Sequence, residues 1–212
     1  MGAHVVNAFY WPNQNEIVFP AGILQPPFFD AQGDIAMNYG SIGAVIGHEL
    51  THGFDDNGSL FDEKGNLKNW WTKADRKKFM AKTKVLVKQY NDFIAVDELH
   101  VNGNLTLGEN IADLGGVVLA YHAFEKYMKK HGRPRDLGGY TPEQRFFFGN
   151  VATERGLMRK EAARLRAVSD PHAPSYTRVN GPLVHIEEFY KAFNVTKGDK
   201  MYRTLNKRAL IW

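Results

Sequence analysis

One helix-length stretch limits the fold of this chain more than any other. After Asp34, apolar side chains recur at Ile35, Tyr39, Ile42, Val45 or Ile46, and Leu50, close to helical spacing. Asp34 is a residue type that caps helix N-termini, and the pattern ends near Gly53. Gly40, Gly43 and Gly47 stand inside the run, although each glycine costs a helix about 1 kcal/mol relative to alanine. They predict places where another element packs closely. A chain carrying such a helix builds its core around it.

The same stretch carries chemistry. In AVIGHELTHGFDD, residues 44–56, His48 and His52 are four apart and Glu49 follows the first. Residues four apart share a helix face, so both imidazoles can present ring nitrogens to one ion. Glu49 lies about 100° round the helix from His48. It flanks the ion and can reach a bound water as general base. Zinc accepts such nitrogens, usually has three protein ligands and an open position when catalytic, and lowers the pKa of bound water to about 7. The plainer alternative is an amphipathic helix that happens to carry two histidines. Burial favours the metal, because buried imidazoles and a carboxylate need partners.

A third ligand is required. LTLGENIADLGG offers Glu109 and Asp113, again four apart on an expected helix. One carboxylate can bind zinc while the other accepts the far N–H of a ligand histidine. Thr106-x-x-Glu109 also fits a capping box, and Asp113 could face water. With the histidine pair upstream, the ligand reading is preferred. His172 lies in SDPHAPSYTRV beside Asp170 and could donate to an oxyanion. Arg178 could hold a substrate carbonyl. Out of context, both read as surface loop residues. His4, His100, His122, His131 and His185 have no recognisable spacing and read as structural or solvated.

Composition closes several other routes. The chain has no cysteine, which removes disulfides, thiolate metal sites and cysteine nucleophiles together. The 212 residues suffice for one domain with a sizeable core. No apolar run approaches the roughly 18 residues of a membrane span. The N-terminus lacks a basic region followed by an apolar core, so no signal peptide is expected. Formal charge is +4, with basic residues gathered modestly at 73–84 and 155–166. Without a basic stripe interleaved with aromatics, these read as solvated helix faces and not as a nucleic-acid surface.

Elsewhere, NEIVFP reads as a strand ended by Pro20. Pro26 and Pro27 keep Phe28 and Phe29 on a loop. Asn57-Gly58 and Lys64-Gly65-Asn66 mark a short hairpin or irregular loop. Helices are expected over 72–95, over 106–130, from near Pro142, over 159–167 and over 185–193. SDPHAPSYTRVNGPL reads as a Pro/Gly-broken loop, and the chain ends in an extended tail. The class is α+β, predominantly helical.

VNAFYWP, VFPAGILQPPFF, VIGHELTHGFDD, GENIADLGG and DPHAPSYTRVNGPL occur in this order. They resemble successive blocks of the neprilysin and endothelin-converting-enzyme family, zinc endopeptidases with a thermolysin-like catalytic domain. The resemblance covers essentially the whole chain and, without cysteines, is closer to the family's bacterial oligopeptidases. It implies a single catalytic metallopeptidase domain over 1–212 with a small sheet and one zinc ion per chain. His48, His52 and Glu109 resemble the zinc ligands, Glu49 the catalytic base, and Asp113 the carboxylate orienting a ligand histidine. His172 resembles the oxyanion stabiliser and Arg178 the arginine gripping a substrate carbonyl. Asn7 and Ala8 resemble the edge that pairs with substrate backbone. Ile23, Phe28 and Val45 match an apolar pocket for the residue after the scissile bond, which implies peptide substrates cut before hydrophobic residues. A periplasmic or cell-surface location is favoured by the resemblance, with a cytoplasmic one open.

Two departures stand out. The family usually has a Trp near a Val after QRFF, where FFFGNVATERG here places Thr153 and Glu154. Members also carry a large helical domain ahead of these motifs, which caps the site. This chain is therefore expected to be an excised fragment or a truncated gene product. Its uncapped apolar surface is expected to favour self-association.

Overall fold

A computed structural model describes every residue except Arg155, Leu157 and Trp212. Helices dominate it. In chain order the elements begin with β1 (Phe9–Trp11) and β2 (Glu16–Val18), followed by α1 (Ile35–Gly40), α2 (Ile42–His52) and α3 (Lys73–Asn91). Next come β3 (Ile94–Val96), β4 (Leu99–His100), α4 (Leu107–His131) and α5 (Pro142–Thr153). The chain then forms α6 (Lys160–Ser169), α7 (Ser175–Leu183) and α8 (Glu187–Phe193). The strands form two antiparallel ladders. One aligns Phe9 with Val18 and Trp11 with Glu16; the other aligns Ile94 with His100 across an irregular register. Among the described residues, no helix is long and apolar enough to cross a membrane.

The helix expected over 34–53 forms as two. Asp34 caps α1 by accepting the N–H of Ala36. The backbone then breaks at Ser41, with φ −95° and ψ −92°. Two interactions hold the break. The Ser41 hydroxyl lies 2.6 Å from the Phe28 carbonyl oxygen, and Ile42 donates its N–H to the same oxygen at 3.0 Å. The start of α2 is thereby tied to the Pro26–Pro27 loop. Of the glycines in the run, Gly40 and Gly47 are the close approaches. A Cβ on Gly40 would stand 1.7 Å from the Phe146 carbonyl oxygen of α5, and one on Gly47 would stand 2.6 Å from that of Gly116 in α4. Gly43 makes only ordinary contact.

The α2–α4 crossing is backbone against backbone, because a Cβ on Gly116 would in turn stand 2.6 Å from the Ala44 carbonyl oxygen and 2.8 Å from the His48 nitrogen. Neither helix can yield a flexible side chain there. Gly47→Ala is therefore expected to cost at least about 1–3 kcal/mol by overpacking. Thermal denaturation checks this, and an unchanged melting temperature would refute the close crossing.

Two other expectations change. The helix expected over 72–95 stops at Asn91, and Ile94–Val96 turns into a strand. The stretch read as a Pro/Gly-broken loop holds α7, entered through Pro174 and carrying Pro182 in its last turn. Pro174 stands ahead of the ladder, where proline is tolerated, while Pro182 removes one N–H just before the helix ends at Leu183. This difference matters, because α7 carries Arg178. The main core gathers Phe124, Phe146, Phe147, Tyr90, Leu86 and Ile111 between α3, α4 and α5. A second, smaller cluster joins Ala8, Ile23 and Ile42, with Phe28 and Val45 packed against it.

Candidate active site

The α2–α4 crossing positions the chemistry. His48, Glu49 and His52 come from α2, and Glu109 and Asp113 from the first turns of α4. Thr106 does not cap α4 with its side chain. Its hydroxyl instead accepts from Asn110 Nδ2 at 2.9 Å. The capping-box alternative is thus not formed, and Glu109 turns toward the histidines.

Each imidazole is fixed from behind by a carboxylate. His48 Nδ1 lies 2.9 Å from Asp113 Oδ1, and His52 Nδ1 lies 2.7 Å from Asp55 Oδ2. Both Nε2 atoms therefore turn to one point, 2.9 Å from each other. Glu109 oxygens stand 3.3 Å from His48 Nε2 and 3.7 Å from His52 Nε2. Glu109 Oε2 is buried and has no hydrogen bond among the described residues. Two ring nitrogens this close can share a proton, and with a carboxylate oxygen beside them they can instead hold a cation. The imidazole and carboxylate donor set suits zinc. Glu49 also has a carboxylate oxygen within 4.8 Å of both ring nitrogens. Distance alone leaves both acids in reach, and the unsatisfied oxygen favours Glu109 as ligand.

Charge follows the same geometry. Burial opposes a charge on His48, but the neighbouring Asp113 and Glu109 carboxylates outweigh it and raise its pKa from 6.5 to about 10. Asp113 is buried too, yet the Arg178 guanidinium and His48 hold its carboxyl well below the usual carboxylate range. Burial lifts Glu49 above its ordinary value, against the opposing pull of His48 and His52. A buried carboxylate with a raised pKa is a better proton acceptor near neutral pH.

A pH dependence follows. The protonated His48 ring is stabilised by its native partners, so in metal-free protein that contribution is full below pH 6.5 and is lost as pH rises toward 10. An ion must displace this proton. Zinc binding at pH 7–8 is expected to release about one proton and to tighten with rising pH. Calorimetry in two buffers of different ionisation enthalpy measures the release; pH-independent affinity would contradict it.

The remaining expected residues meet on the same cavity of about 540 Å³. His172 follows α6, with Nε2 3.3 Å from Glu109 Oε2 and Nδ1 2.8 Å from Asp170 Oδ1. Arg178, on α7, spends its Nε and Nη2 on Asp113 at 2.9 and 2.6 Å. Its Nη1 faces Glu154 at 3.6 Å. Ile23, Phe28 and Val45 form one apolar wall with Ala44 and Val117. Asn7 and Ala8 lead into β1, which among the described residues pairs only with β2. Asn7 Oδ1 accepts the Ala8 N–H at 3.0 Å.

Asp55 is the functional residue that sequence reasoning missed. Besides holding His52, it accepts N–H groups from Asn57 and Gly58 at 2.8 and 2.7 Å. The signal was present in the Asp-x-Asn-Gly pattern, a turn in which Asp binds the following backbone. Of the other histidines, His185 is buried. It lies 2.6 Å from Gln89 Oε1 and accepts the Ala209 N–H at 3.0 Å.

Known proteins resemble this chain over nearly its whole length. Peptidase family M13 matches residues 7–209. Neprilysin-1 of Caenorhabditis elegans is 47% identical over 99% of this chain, which covers 28% of that protein. Human neprilysin is 45% identical over the full chain, again covering 28% of that protein. The zinc metalloprotease Zmp1 of Mycobacterium tuberculosis, solved with an inhibitor, superposes with a TM-score of 0.94 at 46% identity; the match covers 99% of this chain and 33% of that one. The chain thus spans less than a third of the length of the curated relatives it matches. With the family match running almost end to end and the helical fold shared, the chain belongs to peptidase family M13.

Proposed function

We propose that this chain is the catalytic unit of a zinc-dependent endopeptidase. The observation that carries the reading is the convergence of His48 Nε2, His52 Nε2 and the unsatisfied Glu109 oxygen. These three residues would hold one zinc ion, which supplies Lewis acidity and an acidified water at the cleft.

The chain's own residues do the rest. A peptide lies in extended form beside Asn7 and Ala8. Glu49 takes a proton from the attacking water onto its carboxylate and returns it to the leaving amine. Its burial keeps that carboxylate short of solvent and ready to accept. The His172 imidazole, aligned by Asp170, donates to the oxyanion as the carbonyl becomes tetrahedral. Arg178 holds Asp113, which holds His48 in orientation, and keeps Nη1 toward the cleft for a substrate carbonyl. Ile23, Phe28 and Val45 receive the side chain after the scissile bond, so cleavage falls on the amino side of residues with a substantial apolar surface.

Cleavage of a short internally quenched peptide, with and without a chelator, tests this. Turnover that is lost with chelator and restored by zinc supports the proposal. One zinc per chain with no turnover would instead make this a folded metal-binding unit whose catalysis needs more of the protein.

A further inference from the structure

We infer that Glu154 sets the specificity of this cleft: its carboxylate receives the cationic end of a lysine or arginine carried by the residue after the scissile bond. This rests on the peptidase reading above and names the substrate class of the same site.

The cavity has two unlike parts. Ile23, Phe28, Ala44, Val45 and Val117 give it an apolar wall. Asn150, Thr153 and Glu154, one turn at the end of α5, also line it and are polar. A purely apolar side chain would satisfy the first and leave the Glu154 carboxylate desolvated beside only the distant Arg178, which is costly. Lysine and arginine suit both, because an apolar stem carries a charged head.

Glu154 has acceptor capacity to spare. Among the described residues its carboxylate has one ionic partner, Arg178 Nη1, at 3.6 Å, too long for a good hydrogen bond. That guanidinium is already committed to Asp113 through two shorter contacts of 2.9 and 2.6 Å. Burial raises the pKa of Glu154 despite Arg178, and the Asp113 charge adds to the rise. The wider cleft has the same sign. Among the described residues, Glu49, Asp55, Glu109, Asp113 and Glu154 line it with one guanidinium, that of Arg178. A divalent ion bound by His48, His52 and Glu109 still leaves it net negative.

Two matched peptides that differ only in lysine or leucine after the scissile bond test this on the zinc-loaded chain. The lysine-to-leucine ratio of kcat/KM is expected to exceed one, and to fall roughly tenfold in Glu154→Gln, the size of one charge-assisted hydrogen bond. Glu154→Leu is expected to lower it further, below one. Dissociation constants of two zinc-chelating hydroxamate dipeptides, bearing lysine or leucine at that position, give the same ratio without turnover. Failure to cleave either peptide would therefore strike the peptidase reading, while the hydroxamate ratio still decides this one. A ratio unmoved by either variant, in chains that keep their zinc and melting temperature, would overturn the role of Glu154.

Discussion

Glu49→Gln is expected to lower kcat for peptide cleavage by about 10²–10⁴-fold, the usual contribution of a positioned general base, with one zinc per chain still bound. Glutamine keeps the shape of glutamate but cannot take a proton. Glu49 sits beside His48 and His52 on α2, while Glu109 reaches the same point from α4. The substitution therefore separates proton transfer from metal retention. Stopped assays and metal analysis on one sample check it. Retained turnover would remove Glu49 from the mechanism; lost zinc would make it a ligand.

Asp113→Ala is the second large effect, and it acts through neighbours. Asp113 is buried and joins three groups: it faces His48 Nδ1 at 2.9 Å and accepts two hydrogen bonds from Arg178 at 2.9 and 2.6 Å. Alanine leaves the guanidinium without its main partner in a partly closed site. Breaking a buried pair from one side typically costs about 3–5 kcal/mol. The imidazole loses the acceptor that fixes its tautomer, a change that usually lowers metal affinity by about 10–100-fold. Chemical denaturation measures the first and zinc titration the second. Stability lost with zinc affinity intact would mean that Asp113 serves the fold and not the ligand.

The candidate site was legible in the sequence because its spacing maps onto helix geometry. His48 and His52, and likewise Glu109 and Asp113, are four apart, and each pair falls on one face of one helix. Gly47 marked the crossing that brings the two faces together, and only the structure shows that Gly116 is its counterpart. What escaped depends on contacts distant in sequence. The helix breaks at Ser41, where the Phe28 carbonyl takes the Ile42 N–H away from regular helical pairing and also accepts from the Ser41 hydroxyl. Periodicity cannot report that. Pro174, Gly181 and Pro182 read as loop signals, yet Pro174 precedes α7 and Pro182 comes one residue before its end, so the helix forms between them. The pairing of Arg178 with Asp113 spans 65 residues and has no local trace.

The division of labour between the two acids of the cleft is the centre of this account. Anomalous diffraction at the zinc edge, on crystals of the zinc-loaded chain, addresses it most directly. The account predicts one ion bound by His48 Nε2, His52 Nε2 and a Glu109 oxygen, with the Glu49 carboxylate beside it and unbound. An ion ligated by Glu49 in place of Glu109, or none between the two histidines, would contradict it.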